Sequence, residues 1–402
     1  MRKKLLVIST TFPRWERDEQ PTFVEDLCKE QSKKFEVHVL VPHYKGLRLK
    51  EKINNLNIHR FIYFYPYKYQ RLAYGGIIPN INKNYLLILQ IPFLLLSEMI
   101  NIIKVVKKEN INIIHAHWFF PHGFISSICN KFLNKKLLIT MHGGDIAILN
   151  KIPLIKRYIA DFTIKNTNLI ISVNKKNENS LKSIASSKLS NIIESKTVII
   201  PMGIKNKEFN TNKSKSTLRK KYNIHKKFVV LYLGRLSKEK GPNYLIDSLK
   251  MIKNIDYILL IAGDGPIKEL LKKQVKRYKL NEKVKFLGYI TGIKKVELLK
   301  LSDVLVMPSE REGLPVTIME AMSTGLPTIA TDVGGVNEII NKNNGILIPS
   351  KNPKIMAETI VYLLKNEKLR NKLSKNSLIT SKDYDWSIIG EKNINLINTL
   401  LN

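Results

Sequence analysis

Cysteine and acidic residues are both scarce in this chain of 402 residues. The 2 cysteines, Cys28 and Cys129, are too few for a disulfide framework and lie outside any metal-ligand spacing. We therefore expect a cytoplasmic protein. Only 33 Asp and Glu residues stand against 67 Lys and Arg, which gives a formal net charge of +34. Such a charge favours an anionic partner, whether a nucleic acid, a membrane surface or a charged substrate.

Patterns typical of nucleic-acid-binding modules are also missing, since the chain has no arginine-rich arm, zinc finger or recognition-helix pattern. We therefore expect no nucleic-acid partner, and the even spread of lysine favours a solvated surface charge. Residues 60–76, RFIYFYPYKYQRLAYGG, differ because tyrosines alternate there with Lys68 and Arg71. The first half predicts a strand. The part after Pro66 fits either a surface loop or a segment that contacts an anionic membrane, and both interpretations stay open.

Long uninterrupted apolar runs are absent as well. The run Leu5–Ile8 is too short for a signal peptide and predicts a buried first strand. The most apolar segment, residues 85–106, is interrupted by four residues: Gln90, Pro92, Glu98 and Asn101. It therefore predicts a core helix rather than a membrane span.

Short apolar runs do recur along the chain, each followed by a segment of helix length. They extend from KLLVIST to TVIIPMG in the first half and from FVVLYLGR to GILIPS in the second. This alternation predicts two doubly wound parallel sheets, which bind ligands at the carboxyl ends of their strands. The polar, lysine-rich residues 206–225 predict a linker between an amino-terminal domain, residues 1–205, and a carboxyl-terminal domain, residues 226–383. Residues 384–402 are expected to return to the first domain as a helix.

Two cations follow the first strand of the predicted second domain. In GRLSKEKG, Arg235 and Lys240 lie in a loop that leads into a helix. Basic side chains at a helix amino end suit a diphosphate, although two solvated surface cations would give the same pattern. The turns AGDGP and KFLGY, the second with Gly288, lie at later strand ends and allow close approach of backbone to a ligand.

Acidic residues cluster in PSEREGLPVTIMEA, residues 308–321. Pro315 predicts the first turn of a helix, with Glu312 in the loop before it and Glu320 within it. The free N–H groups of the first turn would face a ligand. The helix dipole alone explains an acid at Glu310 or Glu312, but it does not explain Glu320.

Taken together, GRLSKEKG and EGLPVTIME resemble the donor-site signature of the retaining glycosyltransferases of family 4, which are also called glycosyl transferases group 1. Four further segments resemble the same family in the expected order: HAHWFFPHG at 115–123, TMHGGD at 140–145, IIPMGI at 199–204 and GGVNEII at 334–340. The resemblance implies a GT-B architecture, in which two Rossmann-like domains face a cleft.

The resemblance also implies residue roles. Arg235 and Lys240 would hold the donor diphosphate and stabilise the charge of the leaving group. Glu312 would contact the donor sugar, Glu320 would accept hydrogen bonds from the ribose hydroxyls, and His142 would face the sugar from the other domain. The remaining donor contacts are expected from backbone at Gly288, Gly313, Leu314, Pro315 and Val316.

The implied reaction is a retaining, metal-independent sugar transfer from a UDP- or GDP-linked donor to a glycan or lipid-linked acceptor, in cell-surface polysaccharide or glycolipid biosynthesis. No Asp-X-Asp stands where it could hold a nucleotide-bound metal, and fixed cations can stabilise the leaving group instead. No cofactor is expected. Retention normally implies a carboxylate nucleophile. The family favours attack on the same face as the leaving group, so no nucleophile is assigned.

Two groups of residues carry alternatives. His115, His117, His122 and His142 are compatible with zinc, but hydrogen-bonded histidines are favoured because no clear carboxylate or thiolate ligand lies near them. The loop between Thr10 and Val24 lacks the glycines that many relatives use to approach the diphosphate. Arg14 or Arg17 could meet an anionic acceptor there instead.

Two other functions remain alternatives to sugar transfer. One is a sugar-nucleotide epimerase or phosphorylase on the same fold, and the other is a non-enzymatic protein that binds polyanions. For the transferase, we expect a cytoplasmic location, with a peripheral position at the cytoplasmic face of the membrane as an open possibility.

Overall fold

The computed structural model describes residues 2–15, 18, 20–209, 211 and 213–402. The chain divides into two compact units. Unit 1 comprises Met1–Gly203 together with Trp386–Asn402, and unit 2 comprises Ile204–Asp385.

Unit 1 contains an eight-stranded sheet in the order β3-β4-β2-β1-β5-β6-β7-β8. Its strands are β1 (Lys4–Ile8), β2 (Glu36–Pro42), β3 (Lys50–Ile53), β4 (Leu56–Phe61), β5 (Ile113–His117), β6 (Lys136–Met141), β7 (Leu169–Ser172) and β8 (Thr197–Ile199). All pairs are parallel except β3 with β4, and Leu5 in β1 pairs with Val37 on one side and Ile113 on the other. Strands such as β1 are apolar on both faces because helices cover both sides of the sheet.

Among the residues described, eight α-helices of unit 1 precede its boundary with unit 2. They are α1 (Phe23–Gln31), α2 (Ile77–Lys83), α3 (Ile91–Lys108), α4 (Phe124–Leu133), α5 (Gly144–Leu149), α6 (Lys156–Lys165), α7 (Lys175–Ile184) and α8 (Ser190–Lys196). One face of the sheet packs against α3, α4, α6 and α7, where Leu94, Ile102, Ile125 and Ile159 belong to a single apolar core. The other face packs against α1.

Unit 2 contains a six-stranded parallel sheet in the order β11-β10-β9-β12-β13-β14. Its strands are β9 (Phe228–Leu233), β10 (Tyr257–Ala262), β11 (Val284–Gly288), β12 (Val304–Met307), β13 (Thr328–Thr331) and β14 (Gly345–Ile348). Its helices are α9 (Lys215–Lys221), α10 (Pro242–Leu249), α11 (Lys268–Arg277), α12 (Gly292–Leu301), α13 (Val316–Ser323), α14 (Pro353–Lys365) and α15 (Glu367–Ser381).

The last helix, α16 (Trp386–Leu401), belongs to unit 1. Its residues Ile389, Ile394 and Ile397 join the apolar core on the sheet face that α1 covers. Gly203 and Gly390 make this packing possible, because a Cβ at Gly203 would lie 2.4 Å from the Trp386 ring and one at Gly390 would lie 2.4 Å from Glu30 Cβ.

The segment predicted as a linker, residues 206–225, is instead part of unit 2. It contains α9, which packs against α12 and buries Leu218. Two of its lysines form ion pairs while their side chains stay partly exposed: Lys221 Nζ lies 2.6 Å from Glu297 Oε2, and Lys215 Nζ lies 2.6 Å from Asp303 Oδ1. A polar helix is therefore held by one buried leucine and by ion pairs to acids of its neighbours.

The helix predicted to lie in the core is only half buried. Within Tyr85–Lys108, a 3₁₀ turn (Tyr85–Gln90) leads into α3, whose inner side joins the core while its outer side is exposed. By length and composition alone, this is one helix among the described residues that could cross a membrane. The neighbouring strand also differs from the prediction, since β4 ends at Phe61 and residues 62–76 are not a strand.

Candidate donor site at the carboxyl ends of the unit 2 strands

The loop after β9 carries Arg235 and Lys240 to the carboxyl edge of the sheet. Arg235 is exposed, and Lys240 immediately precedes the turn into α10. Gly241 in that turn has φ +62°, and a Cβ on it would lie 2.1 Å from the carbonyl oxygen of Pro308. Only glycine allows this approach, which places Lys240 beside the loop that leaves β12.

Lys240 forms an ion pair with Glu312 from the β12 loop. Lys240 Nζ lies 2.7 Å from Glu312 Oε2, and the Glu312 side chain is only 5% exposed. The other carboxylate oxygen accepts a hydrogen bond from Ser309 Oγ at 2.7 Å. Glu312 is thus fixed at both oxygens, with its charge balanced by a cation that is still partly exposed.

Glu320, in α13, forms a second ion pair. Lys295 Nζ on α12 lies 2.6 Å from Glu320 Oε1. Burial raises the pKa of Glu320 above its ordinary value, while Lys295 acts in the opposite direction. Glu320 is therefore a desolvated carboxylate with one oxygen paired.

Two cavities lie between these pairs. The larger, of about 490 Å³, is lined by Glu320, Lys295 and Tyr289, and the smaller, of about 260 Å³, by Lys240, Glu312 and Ser309. Arg235 lines both. The predicted residues Arg235, Lys240, Glu312 and Glu320 are therefore brought together around two adjoining spaces within unit 2.

Backbone between the two glutamates borders the same cavities. Leu314 and Pro315 line the smaller cavity and Val316 lines both. Helix α13 begins at Val316 with Pro315 as its N-cap, one residue later than predicted. The N–H groups of its first turn have no acceptor within the helix and are available to an anion at this end.

Glycines at the border of the site pack closely against the backbone of the loop that carries Glu312. Gly334 has φ +65°, and a Cβ there would lie 1.8 Å from the carbonyl oxygen of Glu312. The amide of Gly335 donates to the carbonyl oxygen of Gly313 at 3.1 Å. Gly288 has a similar supporting position, because its carbonyl oxygen accepts from the amide of Gly263 at 2.7 Å while the residues after it line the larger cavity.

His142 lies in unit 1, directly after β6. Its Nε2 is 3.0 Å from Nδ1 of His117, and the two rings stack with centroids 5.3 Å apart. Burial lowers the pKa of His142 to about 3 and also lowers the pKa of His117. Both imidazoles are therefore neutral near pH 7, and a ring N–H of one donates a hydrogen bond to a ring nitrogen of the other.

The other two histidines of the predicted group, His115 and His122, are also hydrogen-bonded. His115 Nε2 lies 2.7 Å from Thr140 Oγ1, and His122 Nδ1 lies 2.8 Å from a Glu98 carboxylate oxygen. Across the described ranges, no group of three or more His, Cys, Asp or Glu could hold a metal ion.

Arg14 differs from the prediction of a cation that awaits an anionic acceptor. Its Nε and Nη2 donate to the two carboxylate oxygens of Asp18 at 2.8 and 2.7 Å. Its guanidinium also lies 4.2 Å from the ring centroid of Trp15. The hydrogen bond that Arg14 donates to Asp18 is the main reason that the pKa of Arg14 is raised. Arg17, the alternative, lies outside the described residues.

Comparison with known proteins matches both units. The family model described as Glycosyltransferase Family 4 matches residues 20–206, and the one described as Glycosyl transferases group 1 matches residues 214–378. A relative, the uncharacterized glycosyltransferase MJ1178 of Methanocaldococcus jannaschii, is 30% identical over 324 residues, which cover 78% of this chain and 85% of the relative. The chain belongs to the group 1 glycosyltransferases.

A second relative is also a glycosyltransferase, and a solved structure shows the fold. The N,N'-diacetylbacillosaminyl-diphospho-undecaprenol alpha-1,3-N-acetylgalactosaminyltransferase of Campylobacter jejuni is 28% identical and covers 77% of this chain and 83% of its own. The crystal structure of HepE from Anabaena in complex with UDP superposes with a TM-score of 0.72 at 17% identity, over 99% of this chain and 100% of that one. The glycosyltransferase therefore has the GT-B fold, with two parallel-sheet α/β domains.

Several residues of the site were not predicted from the sequence of this glycosyltransferase. Lys295 and Ser309 each pair with a predicted glutamate, and Tyr289 lines the larger cavity. Nothing distinguishes Lys295 in sequence, because the chain has 67 Lys and Arg residues. Gly334 could have been found, since GGVNEII was part of the family resemblance, but its contact with Glu312 requires the fold.

Proposed function

We propose that this glycosyltransferase transfers a sugar, with retention and without a metal ion, from a UDP- or GDP-linked donor to a glycan or lipid-linked acceptor. The observation that supports this most strongly is the pair of adjoining cavities that share Arg235, one with the Lys240–Glu312 pair and the other with the Lys295–Glu320 pair. Their chemistry fits the two ends of a nucleotide sugar.

The larger cavity would hold the nucleoside. A carboxylate can accept hydrogen bonds from two vicinal hydroxyls, and Glu320 has one oxygen paired with Lys295 and the other available for a ribose. The ring of Tyr289, 67% exposed, provides an aromatic surface for a base in the same cavity.

The shared border would hold the diphosphate. Arg235 lines both cavities, and Lys240 lines the smaller one with a partly exposed ammonium group. As the glycosidic bond breaks, negative charge develops on the departing phosphate oxygen, and preorganised cations stabilise it. The two cations would thus take the role that a metal ion has in other transferases.

The smaller cavity would hold the sugar beside Glu312, whose orientation is fixed by Lys240 and Ser309. His142 of unit 1 would contact the same sugar, as the family resemblance implies, and its neutral ring can donate or accept a hydrogen bond. In a retaining reaction on one face of the sugar, the departing phosphate oxygen would take the proton of the acceptor hydroxyl. No side chain is assigned as a nucleophile.

The acceptor is proposed from relatives rather than from the cavities. The name of the C. jejuni relative gives its acceptor as a sugar linked to diphospho-undecaprenol, a lipid. A lipid-linked or glycan acceptor in cell-surface polysaccharide biosynthesis, at the cytoplasmic face of the membrane, extends this chemistry to the present chain. The strong positive charge, +34 at pH 7, is compatible with an anionic diphospholipid acceptor.

Thermal unfolding with UDP, GDP and other nucleotides tests the donor. We expect UDP or GDP to raise Tm in the presence of EDTA, since binding to the folded state stabilises it. A screen of UDP- and GDP-sugars, with the anomeric configuration of the product read by NMR, then tests retention. An unchanged Tm with every nucleotide, or a requirement for divalent metal, would contradict the proposal. Product analysis with and without phosphate separates transfer from epimerase or phosphorylase activity.

A further inference from the structure

The outer side of α3 presents an apolar surface that no other part of the described chain covers. Leu89 in the preceding 3₁₀ turn and Phe93, Leu96 and Ile100 in α3 recur every three or four residues, so they lie along one side. We call these four residues the outer stripe. They are 65%, 53%, 52% and 54% exposed. A helix that is apolar on its core side as well as its outer side indicates a second binding partner.

The tyrosine-rich segment 62–71 is fixed beside this outer stripe. The rings of Phe64 and Phe93 meet edge to face with centroids 5.6 Å apart. Gln90 Nε2 donates to the carbonyl oxygen of Tyr69 at 2.7 Å, and Ser97 Oγ donates to that of Ile62 at 2.6 Å. The exposed rings of this segment, Tyr65, Tyr67 and Tyr69, therefore adjoin the apolar stripe.

The charge around this surface is of one sign. Residues 52–97 contain no Asp or Glu. Exposed cations precede and follow the outer stripe in sequence: Lys68, Arg71 and Lys83 before it, and Lys104 and Lys107 on the continuation of the same helix side. Within the described part of the chain, none of these five cations forms an ion pair. An apolar strip with tyrosines and unpaired cations at its edges complements a surface that is apolar below and anionic above.

The inner side of α3 determines how the helix meets such a surface. Leu94, Glu98 and Ile102 are at most 1% exposed, and Glu98 is hydrogen-bonded to the buried His122. A helix that packs on the core along one side does not cross a bilayer while unit 1 is folded. It can lie in the interface, with apolar side chains in the acyl boundary, tyrosines among the headgroups and cations near anionic lipid.

We propose that the outer stripe and segment 62–71 form a docking surface for an anionic lipid bilayer. The surface belongs to unit 1, whereas the residues that line the two cavities belong to unit 2. Only the purpose of this docking rests on the proposed function, because a lipid-linked acceptor would be presented at the same membrane. Binding to lipid itself requires no nucleotide.

Flotation of the full chain with lipid vesicles tests the apolar part. We expect binding to vesicles of phosphatidylcholine with 30% phosphatidylglycerol, at roughly 0.1 M salt, and weaker binding to phosphatidylcholine alone. The variant Phe93→Ser/Leu96→Ser/Ile100→Ser should lower partitioning by about tenfold or more, because three apolar side chains no longer enter the interface. The matched control Leu270→Ser/Leu378→Ser/Ile379→Ser removes three exposed apolar residues of unit 2 and should bind as the parent does.

The cations are tested separately. Lys68→Gln/Arg71→Gln should lower partitioning to anionic vesicles roughly 30-fold, since each cation near an anionic surface contributes about 1 kcal/mol. The control Lys372→Gln/Lys375→Gln removes the same charge from exposed positions on α15 and should have little effect. An equal loss in both variants would show only a response to net charge and would overturn the assigned surface.

Two further results would overturn the docking surface. One is the absence of vesicle binding by the parent chain. The other is a self-associated parent that the stripe variant converts to monomer without any vesicle binding, which would make the outer stripe a protein interface. The nucleotide-induced rise in Tm, measured without vesicles, separates the two proposals. A retained rise without vesicle binding defeats only the docking surface, whereas vesicle binding without any rise defeats only the proposed donor chemistry.

Discussion

Lys240 Nζ lies 2.7 Å from Glu312 Oε2, so the cation proposed to meet the donor phosphate is already paired with the carboxylate proposed to meet the donor sugar. Each group is thereby held in place before a ligand arrives. A diphosphate that approaches Lys240 would share this cation with Glu312 rather than find it free. The pair therefore couples the phosphate and sugar ends of the site.

Replacement of Lys240 by Ala should remove most of the nucleotide-induced rise in Tm. Transfer should fall by about 10²- to 10³-fold, because a preorganised positive charge no longer faces the leaving group. Lys238→Ala is the control, as this exposed lysine lies two residues away in the same loop. Thermal unfolding and initial-rate kinetics measure both effects. A similar loss in both variants would mean that only the overall charge of the loop matters.

Glu320→Gln and Glu312→Gln should separate nucleotide affinity from sugar transfer. Glu320 lines the larger cavity and Glu312 the smaller one, so loss of the first carboxylate should weaken UDP or GDP binding by about 5- to 30-fold. Loss of the second should chiefly lower kcat. Isothermal titration with the free nucleotide and steady-state kinetics provide the two readouts. Equal loss of nucleotide affinity in both variants would contradict the assigned split.

The acid limb of nucleotide binding should report Glu320. Its pKa is raised above the ordinary value of 4.5, mainly by burial, and Lys295 partly offsets this. Because the ionised carboxylate is the better acceptor for two ribose hydroxyls, affinity should fall as the pH drops through this raised pKa. Lys295→Met removes the offset, raises the pKa further and should shift the limb to higher pH. The neighbouring Lys294→Met serves as the control, and an unshifted limb in Lys295→Met would exclude Glu320 as its source.

His142 should contribute no ionisation to the pH profile between about pH 5 and 8. Burial lowers its pKa to about 3, so the ring is neutral over this whole range. His142→Ala should lower transfer while nucleotide affinity stays within about twofold of the parent. Profiles of kcat/KM for the parent and the variant test this. A limb near pH 6.5 that disappears in His142→Ala would show that the ring titrates in the working enzyme.

Gly334→Ala should lower the rate of sugar transfer by more than its loss of folding stability alone would explain. A Cβ at this position would lie 1.8 Å from the carbonyl oxygen of Glu312, so the loop that carries Glu312 must move. We expect kcat to fall by about tenfold or more, since a displacement of about 1 Å can cost about 10²-fold. Gly292→Ala is matched in backbone conformation, with φ +57°, but its Cβ meets no atom within 4 Å. It should cost about 1–2 kcal/mol of stability and little activity.

Most strands of the two sheets were predictable because they are short apolar runs between helix-length segments, whereas β3 is polar and mostly exposed. The positions of Arg235, Lys240, Glu312 and Glu320 followed from strand ends and from the family resemblance. Their partners did not, because a hydrogen bond such as Ser309 to Glu312 depends on loop conformation. Lys295 reaches Glu320 from another helix, and sequence spacing contains no information about that contact.

The wrong predictions share a physical cause. Residues 206–225 are polar enough for a linker, yet α9 needs only Leu218 and its ion pairs to pack on unit 2. Residues 85–106 are apolar enough for a core, yet periodicity does not reveal which side of α3 the fold covers. The composition of a segment shows whether burial or exposure is possible for it. Whether the segment is in fact buried depends on the elements that pack against it.

The return of α16 to unit 1 also has a consequence for synthesis of the protein. Helix α1 packs against α16, although almost the whole chain separates them in sequence. During translation, all of unit 2 emerges from the ribosome before Trp386–Asn402 becomes available to complete unit 1. We expect unit 2 to finish folding first. Until α16 is available, the sheet of unit 1 remains incompletely covered on the face beside α1. Unit 1, although most of it is synthesised first, would therefore complete its folding after unit 2.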